Sequence, residues 1–245
     1  MLRRTFIHVP RIGKTTERSL WKQGCSDWNT YLSGSFSTGH ADRGEVRAFI
    51  QESKARLGAG EHQFFARNLG TRESWRAYDE FKDSCVYLDI ETDGSGVTMI
   101  GLYDGGQFSC LVKGENLENF RDEISRYSMI VTFCGGMFDL PMLHKAFRGI
   151  DLDQIHIDLA PLLRKLGFRG GLKRIEKEFG IKRPEAVEGL TGFDAVVLWR
   201  RYFGLRDDRA LERLIAYNRE DCVNLRPLAE AAFERMQAVT LGEGR

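Results

Sequence analysis

The sequence is poor in cysteine, and its cysteines form no motif. Five cysteines are scattered through 245 residues, and no C-x-x-C pair occurs. This absence argues against a zinc ribbon and against a thiol redox motif. Isolated thiols in an odd number are typical of free cysteines that are buried in a reducing compartment.

Long apolar runs are also missing, since no stretch approaches the roughly 18 apolar residues of a membrane span. The first residues, Met1–Thr5, are not followed by the apolar core of a signal peptide. The formal net charge is only +1, so overall charge does not point to a polyanionic partner. We therefore expect a soluble, cytoplasmic protein with no membrane partner.

A Walker A phosphate loop is absent as well. Gly13–Thr15 is similar to the end of such a loop, but the position five residues before Gly13 holds His8 and not glycine. The segment Val9–Gly13 resembles the turn of a helix-hairpin-helix element, whose backbone amides bind phosphate. Arg11 stands at the second glycine position of that turn. An ordinary helix start is the other interpretation, and both stay open.

Near residue 84 the sequence pattern changes from one typical of helices to one that includes strands. Residues 1–83 have the pattern of a separate N-terminal helical region, which is either helix-hairpin-helix-like or an ordinary helical appendage. Its predicted elements are a loop over 34–44 and helices over 45–57 and 72–82. We predict a second domain over residues 84–236 and a tail over 237–245.

The second predicted domain alternates between strands and helices. Apolar or alternating stretches predict strands over 85–92, 97–103, 107–112, 129–133 and 155–157. Helical spacing predicts helices over 115–127, 158–166, 171–179, 192–203 and 208–237. Three strands in a meander, followed by alternating helices and strands, indicate an α/β fold with a mixed sheet and helices on both faces.

Two carboxylates stand at the exit of the first predicted strand. Asp89 and Glu91 are separated by one residue, and a Gly-rich turn over 93–96 follows them. Because side chains alternate along a strand, residues i and i+2 lie on the same face. Like charges this close are unfavourable unless they are neutralised, and Mg²⁺ or Mn²⁺ prefers such oxygen ligands. The alternative is a strand end with two solvated acids.

Two further acids follow at positions where they can join the first pair. Asp139 comes after the fourth predicted strand and after Gly135 and Gly136, which let the backbone turn sharply. In open α/β sheets, sites gather at the carboxyl ends of strands. Asp221 and Tyr217 are four residues apart on the last predicted helix and share a face near its apolar stripe. Taken singly, a solvated acid and a core tyrosine are the commoner interpretations.

Taken in order, these residues resemble the motifs of the DEDD exonuclease superfamily, which has a ribonuclease-H-like fold. The resemblance covers residues 84–236 and rests on the D-x-E at Asp89, on Phe138–Leu143 and on Tyr217–Asp221. The histidine branch carries His five residues before the last aspartate, where this chain has Ala216. The chain is therefore similar to the tyrosine branch, DEDDy, and within it to the YprB-type domains.

The resemblance implies a mixed five-stranded sheet flanked by helices, with a site for two ions of Mg²⁺ or Mn²⁺. It implies that Asp89 bridges both ions, and that Glu91 and Asp221 hold the ion on the nucleophile side. It further implies that Asp139 acts mainly through water and that Tyr217 orients the attacking water. The implied metal ligands are Asp89, Glu91, Asp139 and Asp221, and Tyr217 is the fifth catalytic residue.

Residues around the predicted site are candidates for binding nucleic acid. They are Lys173, Arg174, Arg169, Cys134 and Phe138, with Lys165 and Lys177 nearby. Cys134 stands where members of the family that the chain resembles often carry an Asn that positions the substrate strand. Lysine and arginine contact the phosphate backbone in such complexes. For the basic residues, the alternative is a solvated helix face.

Two further groups lie outside the motifs. Arg200 and Arg201 stand beside Trp199, and aromatic rings stack on the bases of single strands, so we expect a nucleic-acid contact there. Asp158 and Asp194 are outer candidates for the metal site. For Asp158, the favoured interpretation is the N-cap of a helix.

The leading hypothesis is a metal-dependent 3′–5′ exonuclease that hydrolyses phosphodiester bonds in single-stranded DNA or in RNA. Negative charge develops on the attacking and leaving oxygens of that reaction, and two metal ions stabilise both. The expected partner is nucleic acid that is single-stranded or has a free 3′ end. The alternatives are a nucleic-acid-binding module with a weak or inactive site and a ribonuclease-H-like endonuclease.

Overall fold

The computed structural model describes residues 1–242, and the chain forms two compact units. The first unit consists of Met1–Lys82 together with the short segment Asp153–His156. The second consists of Asp83–Leu152 and the residues from Ile157 onward. None of the described helices is long and apolar enough to cross a lipid bilayer.

Helices build most of the first unit. They are α1 (Lys14–Lys22), α2 (Trp28–Ser33), α3 (Arg43–Gly58), α4 (His62–Asn68) and α5 (Tyr78–Phe81). The sequence pattern does not predict α2 and α4, because a helix of six or seven residues is too short to show a sustained apolar period. The helix predicted over 72–82 is instead α5 between two 3-10 turns, Ser74–Ala77 and Lys82–Ser84.

A buried arginine connects distant segments of the first unit. Arg76 is 2% exposed. Its guanidinium donates to Glu73 at 2.8 Å and to the hydroxyl of Thr5 at 2.7 Å, and it pairs with Glu17 at 2.9 Å. Glu17 also accepts from the backbone N–H of Phe6 at 2.7 Å. The positive charge is therefore matched and hydrogen-bonded, which is the condition under which a buried ion is tolerated.

The Val9–Gly13 loop before α1 contains one residue in a left-handed conformation. Arg11 has a φ of 66°, in the region that favours glycine. This is the position at which the helix-hairpin-helix turn carries its second glycine. In the described chain a 3-10 turn, Leu2–Arg4, precedes the loop in place of a first helix. Phosphate binding by this loop stays a prediction.

The described chain contains the mixed five-stranded sheet that the sequence predicts. The strands are β1 (Cys85–Thr92), β2 (Val97–Tyr103), β3 (Phe108–Val112), β4 (Met129–Thr132) and β5 (Ile155–Asp158), in the order β3-β2-β1-β4-β5. β1 is the central strand, and it pairs antiparallel with β2 and parallel with β4. β4 is buried along its whole length, as its apolar sequence predicts.

Helices flank this sheet. They are α6 (Phe120–Ile124), α7 (Asp139–Ala146), α8 (Leu159–Lys165), α9 (Leu172–Glu178), α10 (Gly192–Leu205), α11 (Asp208–Val223) and α12 (Leu225–Leu241). The helix predicted over 115–127 is shorter than expected, because a 3-10 turn, Leu117–Asn119, precedes α6. The tail predicted over 237–245 is helical as far as Leu241, and residues 243–245 lie outside the described residues.

One predicted helix is broken into two. The pattern over 208–237 predicts a single helix, but α11 ends at Val223 and α12 follows directly. Pro227 explains the break, because it has no N–H and its ring would collide with the carbonyl of Val223 in a continuous helix. In the first turn of a new helix, by contrast, the missing N–H costs nothing.

The two faces of the sheet bury different helices. Leu88 and Ile90 of β1 pack with α6 and α7 in one apolar cluster. On the opposite face, Met99 of β2 packs with α10 and α11 in a second cluster. Because side chains alternate along a strand, Asp89 and Glu91 point away from the first cluster and toward α11.

Candidate metal centre

Three carboxylates, two from β1 and one from α11, meet at the sheet. Asp89 and Glu91 lie near the end of β1, and Asp221 lies on α11. Each offers a carboxylate oxygen, and these oxygens lie within 4.8 Å of one another. We call these three residues the acidic cluster. Its all-oxygen donor set is of the kind that Mg²⁺ and Mn²⁺ prefer, so the arrangement can hold a divalent cation.

Close packing of α11 on the sheet brings Asp221 to β1. Gly101 of β2 pairs with Asp89 in the antiparallel ladder. A Cβ atom on Gly101 would overlap the side chains of Asn218 and Cys222 of α11. The helix can lie this close to the sheet because residue 101 has no side chain.

The acidic cluster carries more negative charge than its surroundings neutralise. Burial, followed by the charge of Asp221, raises the pKa of Glu91 to about 8. The same two causes raise the pKa of Asp89 well above its usual range. Burial also raises the pKa of Asp221, although the nearby Arg183 acts in the opposite direction. A cation would stabilise the ionised carboxylates, because a nearby opposite charge favours the charged form.

The fourth predicted ligand, Asp139, borders the acidic cluster. Asp139 is the first residue of α7 and is 3% exposed. Its carboxylate accepts from the backbone N–H of Ile90, the residue between Asp89 and Glu91. Burial raises the pKa of Asp139 to about 7. Among the described residues, the group within 4.8 Å contains the other three acids and not Asp139.

Asn218 contacts the cluster, although the sequence motifs assign it no role. It is fully buried on α11, and its Nδ2 donates to Oδ2 of Asp89 at 2.9 Å. It also forms a hydrogen bond with Glu91. The spacing of the sequence could have predicted this role. Asn218 stands four residues before the buried Cys222, and a polar residue on a buried helix face requires a hydrogen-bond partner.

Tyr217 lies on the same helix and contacts Lys173 of α9. Lys173 Nζ donates to the Tyr217 hydroxyl at 3.0 Å and also to the backbone carbonyl of Leu190. Burial, followed by the charge of Asp221, raises the pKa of Tyr217, so the phenol stays protonated at neutral pH. Because a lysine ammonium only donates, the hydroxyl accepts from it and keeps its own proton to donate elsewhere.

Arg183, in the loop between α9 and α10, also contacts the acidic cluster, and its side chain is 6% exposed. Its Nε and Nη2 donate to the two oxygens of Glu176 at 2.7 and 2.6 Å. Nη2 also donates to Oδ1 of Asp221 at 2.5 Å. Nη1 has no hydrogen-bond partner among the described residues. Nothing in the local sequence distinguishes Arg183 from its neighbour Lys182, which is why sequence patterns do not reveal it.

The region that carries the acidic cluster matches a known protein family. The family model RNase_H_2, described as the RNase_H superfamily, matches residues 86–233, which is more than half of the chain. The chain belongs to the ribonuclease H superfamily. No curated protein and no solved structure matches it. Membership indicates a nuclease with nucleic acid as its substrate, and the acidic cluster fits the divalent metals that ribonuclease-H-like nucleases generally use.

In this ribonuclease-H-like domain, two of the predicted nucleic-acid contacts lie on the loop from β4 to α7. Cys134 is exposed and has a φ of 64°, a left-handed conformation that is unfavourable for cysteine. Asp158 fixes the loop, since its carboxylate accepts from the backbone N–H groups of Cys134 at 2.9 Å and Gly136 at 3.1 Å. Phe138 is 48% exposed and its neighbour Met137 is 91% exposed, so the loop offers an apolar surface to water.

The predicted basic contacts of the ribonuclease-H-like domain differ in accessibility. Arg169 and Arg174 are exposed, and Arg174 pairs with Glu178 at 3.4 Å. Lys173 is partly buried, and its ammonium group donates a hydrogen bond to Tyr217. A pocket of about 490 Å³ lies along α9, and it is lined by Lys173, Arg174, Lys177 and Glu178. Three cationic side chains and one carboxylate thus line an open groove on the surface of α9.

The predicted stacking of Trp199 on a nucleic-acid base is wrong. Trp199 is 3% exposed and packs against Tyr202 and Phe203 on α10. Its ring belongs to the apolar cluster beneath α10 and α11, where a base cannot reach it. Arg201, from the same predicted contact, pairs with Asp207 at 2.6 Å.

The two outer acids are helix caps. Asp194 forms a capping box with Thr191 at the start of α10, so its carboxylate accepts from that residue, and among the described residues it is not part of the group within 4.8 Å. Asp158 is the N-cap of α8, as the sequence predicts, and accepts from the backbone N–H of Ala160 at 3.1 Å.

Proposed function

We propose that this ribonuclease-H-like chain is a metal-dependent 3′–5′ exonuclease of the DEDDy type, similar to the YprB-type domains, acting on single-stranded DNA or on RNA. The observation that carries the proposal is the acidic cluster of Asp89, Glu91 and Asp221, with ligand atoms within 4.8 Å of one another. Two further residues of the motif order support it, since Asp139 borders the cluster and Tyr217 lies one helical turn before Asp221.

The donor set fits hard divalent cations. All the candidate ligands are carboxylates, and burial, together with the charge of neighbouring acids, raises their pKa values. Asp89, Glu91 and Asp221 would hold one ion. Asp139, whose charge acts on Asp89, would join the ligands of a second ion. The chemistry that Mg²⁺ or Mn²⁺ supplies when bound is stabilisation of the charge that develops on the phosphodiester oxygens.

Tyr217 has the properties of a hydrogen-bond donor and not of a general base. Its phenol holds its proton at neutral pH, because burial and the neighbouring acids oppose ionisation. Lys173 occupies a lone pair of the hydroxyl and thereby restricts its orientation. The remaining proton can orient the attacking water or a phosphate oxygen.

The surroundings of the site support a single-stranded substrate. Met137 and Phe138 are exposed immediately before Asp139, and apolar and aromatic side chains of this kind pack against unstacked bases. The pocket along α9 adds the cationic side chains of Arg174 and Lys177, which suit a phosphate backbone. A duplex, whose bases are already stacked, would make less use of the exposed loop.

A substrate panel tests this proposal. Full-length protein is incubated with single- and double-stranded DNA and RNA labelled at either end, and with circular single-stranded DNA, in Mg²⁺ or Mn²⁺. We expect release of mononucleotides from the 3′ end of linear single strands and no cleavage of circles. The variant Asp89→Ala should lose this activity, whereas the exposed acid variant Glu118→Ala should keep it.

The other outcomes separate the alternatives. Terminal release that survives Asp89→Ala would refute the site assignment. Cleavage of circles would favour an endonuclease, since circles offer no ends. Binding of single strands without turnover in either metal would favour a nucleic-acid-binding module with an inactive site.

A further inference from the structure

We infer that Arg183 is a positioning residue, whose guanidinium fixes one oxygen of Asp221 so that the other oxygen is presented to the cation. The inference rests on the proposed function, because it takes Asp221 as a metal ligand. It concerns a contact between a loop residue and a helix residue that no sequence motif of the chain contains.

Hydrogen bonds to Glu176 hold the guanidinium of Arg183 in place. Nε and Nη2 lie on one edge of the planar group, and both donate to Glu176 of α9. Asn224, at the junction of α11 and α12, donates to the same carboxylate at 3.1 Å. Glu176 is 2% exposed, so the anchor is buried. Pro184 follows Arg183 and restricts its backbone to extended conformations.

The anchor sets the direction of the next hydrogen bond. Nη2 carries two hydrogens, and once one is directed at Glu176 the other has a fixed direction in the guanidinium plane. That second hydrogen is donated to Oδ1 of Asp221 at 2.5 Å. One oxygen of the carboxylate is therefore held, and rotation of the group is restricted.

One nitrogen of Arg183 indicates that the site lacks a hydrogen-bond acceptor among the described residues. Nη1 of Arg183 is buried and lacks a partner in the described part of the chain. In the planar fork, Nη1 adjoins the Nη2 hydrogen that faces Asp221. A buried donor without an acceptor is unfavourable and rare in folded proteins. We expect an oxygen atom that arrives with the metal to satisfy it.

The charge balance favours positioning over blocking. Glu176 and Arg183 form a two-bond pair of opposite charges, so Asp221 keeps its own negative charge for a cation. An arginine that replaced the cation would compete with it, and removing that arginine would tighten metal binding. An arginine that positions a ligand has the opposite effect, because its removal loosens the ligand.

Mn²⁺ affinity distinguishes these effects. It is measured for the metal-free, full-length protein by electron paramagnetic resonance at constant pH and without nucleic acid, beside a thermal unfolding curve. Arg183→Met should weaken Mn²⁺ binding by about 10- to 100-fold, the usual effect of removing a residue that orients a metal ligand. Arg183→Lys should weaken it less, because lysine keeps the charge but not the planar fork.

Two further variants separate positioning from folding. Arg76→Met also removes a buried arginine between carboxylates, and it should lower stability with unchanged Mn²⁺ affinity. If Arg183→Met does not fold, the double variant Glu176→Met with Arg183→Met removes both members of the ion pair, a change that buried pairs often tolerate. The double variant should show the same loss of Mn²⁺ affinity.

Unchanged or tighter Mn²⁺ binding in Arg183→Met, or in the folded double variant, would overturn the inference and leave the proposed function standing. Wild-type protein that binds Mn²⁺ but cleaves no substrate would count against the proposed function alone. Wild-type protein that binds no Mn²⁺ would overturn both.

Discussion

Two buried arginines, Arg76 in the first unit and Arg183 in the second, each lie between carboxylates. Their hydrogen-bond networks differ in what they connect. Arg76 donates to Glu17, Glu73 and the Thr5 hydroxyl, and Lys14 pairs with Glu73 at 2.6 Å, so each acid of this network has a cation. Arg183 connects a buried glutamate to a member of the acidic cluster, and one of its nitrogens has no hydrogen-bond partner among residues 1–242. The acids of the first network are matched by cations, whereas the second network ends at a candidate metal site.

The carboxylates of the two networks teach what distinguishes a structural ion pair from a metal site. Although burial opposes it, hydrogen bonds from Lys14 and Arg76 lower the pKa of Glu73. For Glu91, burial and the charge of Asp221 act together and raise the pKa to about 8. Burial is common to both, so the balance of nearby charge decides the direction. Unmatched charge of this kind is typical of functional sites.

The largest expected effect is on the network of Arg76. Arg76→Met leaves Glu17 buried without a cation and leaves Glu73 with Lys14 alone, and we expect a loss of about 3–5 kcal/mol in the free energy of unfolding. Urea denaturation of the metal-free protein measures it. Mn²⁺ affinity should not change. A change would show that Arg76, like Arg183, influences the metal site.

Next in size is the loss of a candidate ligand. Glu91→Gln keeps the shape of the side chain and removes one charge, so nuclease activity should fall by more than about 100-fold, beyond the usual effect of an outer residue. The metal-free variant should nevertheless be more stable than wild type at pH 8, because one of several crowded negative charges is gone. A variant with full activity would show that Glu91 is not a ligand.

The two networks should respond to pH with opposite sign. The pKa of Glu91 is raised from 4.5 to about 8 and that of Asp139 from 3.8 to about 7. Stability from such groups is complete below the unfolded values, near pH 4, and is lost as the pH rises through 7 and 8. The lowered pKa of Glu73 acts in reverse, with stability lost as the pH falls.

Unfolding of metal-free wild type and Glu91→Gln from pH 5 to pH 9 isolates this contribution. The wild type should become progressively less stable than the variant as the pH rises, and added Mn²⁺ should stabilise the wild type most at the alkaline end. A difference between the two proteins that is constant with pH would show that Glu91 has an ordinary pKa.

A smaller effect is expected at the hydroxyl of Tyr217. Tyr217→Phe removes one hydrogen bond at the site, and kcat should fall by about 10-fold, which corresponds to the net value of one such bond. Mn²⁺ affinity should be unchanged, because the hydroxyl contacts Lys173 and is not a metal ligand in the proposal. Tyr202→Phe is the matched control, since Tyr202 bonds to Glu115 away from the acidic cluster.

The smallest effect concerns backbone strain at Cys134. Asparagine tolerates the left-handed conformation better than cysteine does, so Cys134→Asn should raise the free energy of unfolding by about 0.5 to 1 kcal/mol. Thermal unfolding measures the gain. A loss of stability would show that contacts of the thiol outweigh the strain of the backbone.

Local periodicity accounts for what the sequence predicts correctly. Asp89 and Glu91 share a face because strands alternate, and Tyr217 and Asp221 lie one turn apart because helices repeat. The mixed sheet follows from the order of the strands. These patterns are carried by neighbouring residues, so they can be read without knowledge of the fold.

What the sequence does not predict depends on contacts between distant segments. The partners of Arg183 come from α9 and α11, and no spacing within its own loop announces them. Lys173 resembles a solvated helix lysine but is engaged by Tyr217. Trp199 resembles a stacking platform, but it is covered by neighbouring helices. Burial of a side chain is a property of the assembled fold.

Gly101 deserves equal weight with any of the acids, although it has no functional group. A single methyl at this position would act as a wedge under Asn218 and Cys222 and would lift the helix that delivers Asp221. Natural variants that lose activity should therefore include changes at this bare stretch of backbone. A survey of damaging mutations confined to charged residues would overlook Gly101.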